Sequence, residues 1–342
     1  MTTSSLFQAE RHEAEKRRAS PDGRLPSVSV AHYAMVDGRR RKLVHRVGDG
    51  SIITRFDKTP PPVGAADVVC PHFLELKWAV GCPFDCAWCY LKGTLRFLPT
   101  RAKPRVKDLS KVSEHVTALL EQVHWYGELL NTGELADSLM CEGARQPFST
   151  LIGELLSGQS LHKALFVTKS YKVDNLLAHD YQHRIIVSFS LNAEAAARRW
   201  EHHAPPVGRR IEAAAMLSRA GYEVRVRIDP IVPIVNWAKH YVDLVDRIFA
   251  AFVPARITLG SLRGLQSTVN GATDKSWIRF LSEQSNWGKK IAFHTRYVLY
   301  KTLIDHLRET HRYRRVALCK ETVAMWQRLG RDYTRIACNC MP

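Results

Sequence analysis

Three thiols stand close together in the stretch CPFDCAWCY: Cys82, Cys86 and Cys89 are spaced C-x3-C-x2-C, and Tyr90 follows the last of them. Thiolates suit zinc or iron–sulfur clusters, and a closed structural zinc site takes four ligands. Three cysteines therefore leave one position unclaimed. A four-iron cubane held by them would keep one iron free for a substrate or cofactor; a zinc ion borrowing a distant fourth cysteine is the alternative. A second group, Cys319, Cys338 and Cys340, lies near the C-terminal end, and Cys70 or Cys141 could complete it to four. An auxiliary iron–sulfur cluster, a zinc ion or unligated thiols would each account for that group. Clustering of this kind reads as metal ligation by reduced thiols rather than as a disulfide framework.

Fifty Lys and Arg against thirty-three Asp and Glu give a net charge of +17, enough to draw a polyanion by counterion release. Nucleic acid, with DNA first, is the expected partner. Arginines interleaved with an aromatic can hold phosphates and stack an extruded base, which selects Arg209, Arg210, Arg225, Arg227, Arg312, Tyr313, Arg314 and Arg315 as candidates. The alternation in VRVRID adds a condition, since a charge pointing into a barrel needs a partner there. No run of eighteen apolar residues occurs and the N-terminus is charged, so the expectation is a cytoplasmic protein without a membrane partner. A hydrophobic fraction of 45% excludes disorder over the whole length.

Positioning these groups falls to alternating strands and helices. Short apolar runs at 73–80, 129–134, 164–169, 184–192, 223–230 and 256–263 read as strands. Stretches with three-to-four-residue apolar spacing between them, such as VSEHVTALLEQVHWY, STLIGELLSG and RRIEAAAMLSRAGY, read as helices. Six β/α repeats predict an α/β fold with a parallel sheet, a partial (β/α)6 barrel of TIM type whose strand C-termini carry the chemistry. Residues 1–65, with charge runs at 15–18 and 39–42, read as a basic, partly ordered arm. Residues 66–270 form the barrel, and 271–342 read as a mainly helical region containing the second cysteine group.

The three-cysteine motif, placed directly after the first strand of such a repeat, resembles the radical S-adenosylmethionine superfamily. That resemblance implies a [4Fe–4S] cluster whose open iron is chelated by S-adenosylmethionine, an external electron donor, and reductive cleavage to a 5′-deoxyadenosyl radical. It also assigns the end of the second strand, Thr132, Gly133 and Glu134, to the methionine amino group. A closer resemblance covers residues 70 to about 240, through CPFDCAWCYLK, LFVTKSYKVDNLL, VSFSLNAE and RRIEAAAMLSRAGY, and is to spore photoproduct lyase and its relatives. This implies that Lys169, Ser190 and Asn192 contact S-adenosylmethionine and that Tyr90 helps return hydrogen. Trp88 stands where the repair lyases tend to have a second tyrosine, as a base-stacking surface or as core.

One departure matters. The hydrogen-donating cysteine of the repair lyases falls at Gly133 when the second strand is laid over LLNTGELADSL, and Cys141, eight residues on, is a displaced substitute. The expected activity is abstraction of hydrogen from a thymine-derived base in DNA, leading to lysis or to isomerisation or modification, the latter needing no cysteine donor. The alternatives are a radical enzyme acting on RNA or a peptide, and a non-catalytic, metal-stabilised nucleic-acid-binding protein.

Overall fold

The computed structural model describes residues 24–98 and 103–342; the charge run at 15–18 lies outside them. A ten-stranded sheet organises the chain. Its strands are β1 (Val28–Ala34), β2 (Arg40–Val47), β3 (Ile53–Phe56), β5 (Phe73–Leu76), β6 (Leu129–Asn131), β7 (Lys163–Thr168), β8 (Ile185–Leu191), β9 (Glu223–Ile231), β10 (Arg256–Ser261) and β11 (Val316–Leu318), in that spatial order. A separate two-stranded ladder pairs β4 (Val68–Val69) with β12 (Glu321–Thr322). From β5 to β11 every neighbouring pair is parallel. The main helices are α1 (Leu109–Gln122), α2 (Phe148–Ser157), α3 (Val207–Arg219), α4 (Trp237–Ala251) and α5 (Phe293–Glu309). The fold is thus mixed α/β with a central, mostly parallel sheet, as the repeat pattern predicts.

Parallel strands covered on both faces lose hydrophobic alternation, and every residue of β8, IIVSFSL, is buried. Helix α1 begins where the Asp108 side chain accepts from the Ser110 N–H, satisfying one of the free donors of the first turn. The hydrophobic layer is continuous through aromatic contacts, with Trp78 stacked on Phe148 at 3.9 Å and Phe148 on Phe166 at 5.5 Å.

Three expectations change. Residues 28–56, read as an arm, form three antiparallel strands joined to the edge of β5. Their charged side chains mask the signal: Arg40, Arg41 and Lys42 face outward while Val44 and Val47 are fully buried. Buried Arg55 pairs with Glu128. The strand expected to end at residue 134 stops at Asn131, because the Asn131 side chain accepts from the Gly133 N–H at 3.0 Å and turns the chain. The region after 271 contributes β11 to the sheet besides its helices, since the run VAL is too short to stand out from its basic flanks.

Candidate functional site

The loop carrying Cys82, Cys86 and Cys89 leaves the barrel after β5 and is held from outside. Glu201 and His202 pair in antiparallel register with Cys86 and Asp85, and the Ala87 N–H donates to the Trp200 carbonyl at 2.7 Å. Trp88 is 8% exposed and packs against Trp200 at 5.5 Å; it is core and offers no stacking surface to a base. Burial pushes the Cys82 thiol up to about 12, and burial also raises Cys86 and Cys89. The opposing influences come from the backbone N–H groups of Phe84 and Leu91, facing Cys82 and Cys89, and from the Lys169 ammonium, which acts on all three sulfurs. Soft donors on one loop, with amide hydrogens and a cation around them, fit a thiolate-held iron–sulfur cluster.

Lys169 follows β7, and its ammonium lies 3.3 Å from Glu201 Oε1. Glu201 is shared, because Arg210 Nη1 donates to Oε2 at 2.6 Å. Burial alone would raise Glu201, but Lys169 and Arg210 outweigh it and hold the carboxyl below its ordinary range. Burial depresses Lys169, yet Glu201 and the Cys86 sulfur keep it above its ordinary value. Beneath this triad the Asp137 carboxylate accepts from Thr168 Oγ1 and the Lys169 N–H, both at 2.7 Å. Arg210, read as a phosphate contact, is only 1% exposed and also donates to the carbonyls of Pro205 and Ser190. Its place is structural.

At the end of β6, Thr132 is buried and its hydroxyl bonds to Ser138 Oγ and the Leu165 carbonyl. Gly133 has no room for a side chain: a Cβ there would lie 2.5 Å from Val167 Cβ. A side chain at this position would force Val167 or the backbone to shift. Glu134 accepts from Asn131 Nδ2 at 3.1 Å, and the Tyr90 hydroxyl donates to the Glu134 backbone carbonyl and lies 3.3 Å from Glu134 Oε2. Tyr90 keeps 39% of its surface accessible. Burial and then Glu134 raise its phenol, so it stays a neutral O–H. Glu75 joins this group from β5. Burial, then the neighbouring Glu134, push its carboxyl up to about 7.

Ser190 is buried with a hydroxyl that takes no hydrogen bond among the described residues, while Asn192 is largely committed. Its amide donates to the Pro230 carbonyl at 3.0 Å, and its oxygen accepts from Tyr241 and the Ala193 N–H. Asn192 shapes the ends of β8 and β9, and the second N–H of its amide takes no partner among the described residues. Cys141 lies in the loop after β6, where its charged neighbours are Glu142 and Asp137.

The second cysteine group assembles inside the barrel. Residues 338–341 make a turn, with the Met341 N–H donating to the Cys338 carbonyl at 3.1 Å. Asn339 pins that turn to the sheet: its side chain binds Thr258, Ser188 and the Val226 carbonyl. Cys340 then meets Arg227 Nη2 at 3.1 Å and Asn131 Nδ2 at 3.8 Å. Cys319 directly follows β11 and meets Arg263 Nη2 at 3.4 Å, while Arg263 forks onto Asp229 at 2.8 and 2.9 Å. Cys70 follows β4, and the β4–β12 register sets it across from Lys320. Each of these thiols feels at least one of the others: Cys70 feels Cys340, Cys319 feels Cys70, and Cys338 feels both Cys340 and Cys70.

The remaining arginine candidates divide. Arg225 is 1% exposed and donates to the carbonyls of Asn339 and Met341 and to Glu223; Arg227 serves Cys340. Tyr313 is buried with its hydroxyl on the Pro254 carbonyl. Arg225 and Tyr313 are closed to a nucleic acid, because a charge or hydroxyl inside the fold must take its partners there, whereas Arg227 is half-buried. Arg312, Arg314 and Arg315 are exposed, and the last two line a cleft with Arg256, Arg331 and Arg335. That cleft lies at the N-terminal ends of β9, β10 and β11, at the opposite end of the strands from the Cys82 loop. Arg209 is exposed and packs over the Tyr171 ring at 4.4 Å. Sequence reasoning missed Glu75, Glu201 and Asp137, acidic residues whose role appears only when the barrel closes around them. It considered Cys70 only as one of two completions of the second group. Asp246 Oδ1 on α4 receives both His306 of α5 and His311 just beyond it, at 2.6 and 2.7 Å, a satisfied surface cluster. No helix among the described residues is long and apolar enough to cross a membrane.

The family model for spore photoproduct lyase matches residues 72–259. The spore photoproduct lyase of Bacillus subtilis is 28% identical over 203 residues, 58% of this chain and 54% of that protein. That of Clostridium acetobutylicum is 24% identical over 175 residues, 51% of each chain. The chain therefore spans about half the length of these curated relatives. Among solved structures, spore photoproduct lyase complexed with dinucleoside spore photoproduct superposes with a TM-score of 0.59 at 16% identity, covering 76% of this chain and 78% of that one. A variant of the same enzyme with bound AdoMet and dinucleoside spore photoproduct gives 0.58 at 16% identity, covering 72% and 76%; these likenesses speak for the fold. Because the matched segment runs from β5 to β10 and includes the three-cysteine loop, Lys169 and the Tyr90–Glu134 contact, the chain belongs to the spore photoproduct lyase family of radical S-adenosylmethionine proteins.

Proposed function

We propose that this chain is a radical S-adenosylmethionine enzyme acting on a thymine-derived base in DNA. The observation that carries the reading is the convergence of three thiols on one loop around the half-buried Lys169 ammonium, where the first parallel strand gives way to the Cys82 loop. A [4Fe–4S] cluster on Cys82, Cys86 and Cys89, reduced by an external one-electron donor, would supply the 5′-deoxyadenosyl radical by cleaving S-adenosylmethionine. Relatives solved with AdoMet and with a dinucleoside spore photoproduct support both the cofactor and the class of substrate.

The chain's own groups divide the remaining work. Lys169, already held by Glu201, would share its ammonium with the carboxylate of the bound cofactor, and Glu134 offers an acceptor for its amino group. Tyr90 holds a neutral O–H against Glu134 and would pass a hydrogen atom. Ser190 contributes a hydroxyl with capacity to spare. Because Gly133 carries no thiol and has little room for one, a reaction in which the abstracted hydrogen goes back from 5′-deoxyadenosine to the substrate by way of the Tyr90 O–H, ending in rearrangement, fits the site better than lysis quenched by a cysteine just after β6.

The test uses anaerobically prepared protein with dithionite and S-adenosylmethionine. Wild type should release 5′-deoxyadenosine and Cys86→Ala should release none, since two thiolates do not hold such a cluster with an open iron. Full release by Cys86→Ala would overturn the reading. Nucleoside mass spectrometry of DNA from cells with and without the gene then identifies the base, and an unchanged DNA profile beside an altered RNA profile would move the substrate to RNA.

A further inference from the structure

Four cysteines that are far apart in sequence meet inside the barrel, away from the Cys82 loop. The β10–β11 register places Leu318 beside Leu259 and delivers Cys319 to the end of that pair. The β4–β12 ladder brings Cys70 alongside the same segment. Asn339, bonded to β8, β9 and β10 at once, carries Cys338 and Cys340 into the interior. Three unconnected stretches of chain are thus built around one small volume.

That volume is also electrostatically incomplete. Arg227 Nη2 touches only the Cys340 sulfur, its Nε is shielded from solvent without a hydrogen-bond partner, and no carboxylate among the described residues forms an ion pair with it. A guanidinium held in the interior calls for an anion. Arg263, from the next strand, aims a second guanidinium nitrogen at Cys319. Lys320 lies 3.7 Å above the Trp287 ring beside Cys70. Four thiolates around an iron–sulfur core carry net negative charge, and donors aimed at the ligand sulfurs are the usual means of stabilising it.

We propose that Cys70, Cys319, Cys338 and Cys340 hold a second iron–sulfur cluster, of the four-iron type with all irons ligated by the protein. Two guanidinium donors turned on the proposed ligand sulfurs, Arg227 on Cys340 and Arg263 on Cys319, are the hydrogen-bonding surroundings that stabilise a charged iron–sulfur cluster; a single zinc ion is the outcome that the metal count below would find instead. On ligation each thiol gives up its proton. Cys340 reaches the proposed catalytic residues through two contacts, Cys340 to Asn131 at 3.8 Å and Asn131 to Glu134 at 3.1 Å. The second cluster therefore lies close enough to exchange an electron with the site or to fix the substrate in it.

The inference stands independently of the reading of the first site, and one experiment separates them. The full chain is reconstituted anaerobically with ferrous iron and sulfide, and iron, acid-labile sulfide and zinc are counted per chain. Wild type should hold roughly eight irons, and both Cys338→Ala/Cys340→Ala and Cys82→Ala/Cys86→Ala/Cys89→Ala should hold roughly four. The second of these is the arm that survives if the first fails to fold, since it leaves the proposed ligands untouched. Roughly four irons in wild type and none in the triple variant would overturn the second cluster, as would one zinc per chain retained in the triple variant. Roughly four irons in wild type that persist in the triple variant and vanish in the double would keep the second cluster and remove the first.

Discussion

Replacing Glu75 by Gln should flatten the pH dependence of stability, and the size of the effect follows from the position of the carboxyl. Glu75 is 8% exposed on β5, with Glu134 beside it and the Lys77 ammonium 3.8 Å away. Burial, reinforced by Glu134, moves its pKa from 4.5 to about 7. A carboxyl raised in the folded state binds its proton more tightly there than in the unfolded chain. The stability it contributes is complete below about pH 4.5 and is lost as pH climbs to about 7. At about 1.4 kcal/mol for each tenfold change in proton affinity, the loss between pH 5 and pH 8 comes to about 2–3 kcal/mol. Gln keeps the shape and does not ionise. Urea unfolding of both proteins at pH 5 and pH 8 should show wild type losing about 2–3 kcal/mol more than Glu75→Gln over that interval. Equal losses would show that Glu75 titrates as an ordinary carboxylate and would refute the burial argument.

Gly133→Ala should lower stability by about 1–3 kcal/mol, because its Cβ would overlap Val167 Cβ in a packed strand; thermal melting reads this directly. Gly133→Cys should be destabilised at least as much and should not convert product formation to lysis, and a stable, lysis-competent Gly133→Cys would show that the strand yields. Glu201→Gln removes the counter-ion of the buried Arg210 and the half-buried Lys169 and should cost about 3–5 kcal/mol near neutral pH. Since Glu201 is held below the ordinary carboxylate range, its contribution is present above about pH 4.3 and disappears as pH falls through the folded value. The gap between wild type and variant should therefore narrow in acid, and a gap that widens there would contradict the ion-pair assignment.

The spacing of Cys82, Cys86 and Cys89 and the alternation of apolar runs with helical periodicity are local properties, and they were enough for the barrel, the three-thiol loop and the family. Lys169, Glu134 and Tyr90 entered only through the resemblance to the superfamily and its lyase family, and the fold sets Lys169 beside Glu201 and Tyr90 against Glu134. What charge counting could not decide was which arginines face water. VRVRID has the same composition whether its arginines grip phosphate or, as folded, anchor the 338–342 turn and face Cys340. Partners distant in the chain decide that, and they are brought together only by strand register. Glu75 and Glu201 were silent for the same cause, because a carboxylate acquires a displaced pKa from what surrounds it and not from its neighbours in sequence. The choice of Cys70 over Cys141 as companion to the second cysteine group likewise belongs to the β4–β12 ladder, a contact between residues some 250 positions apart that leaves no periodic trace in the sequence.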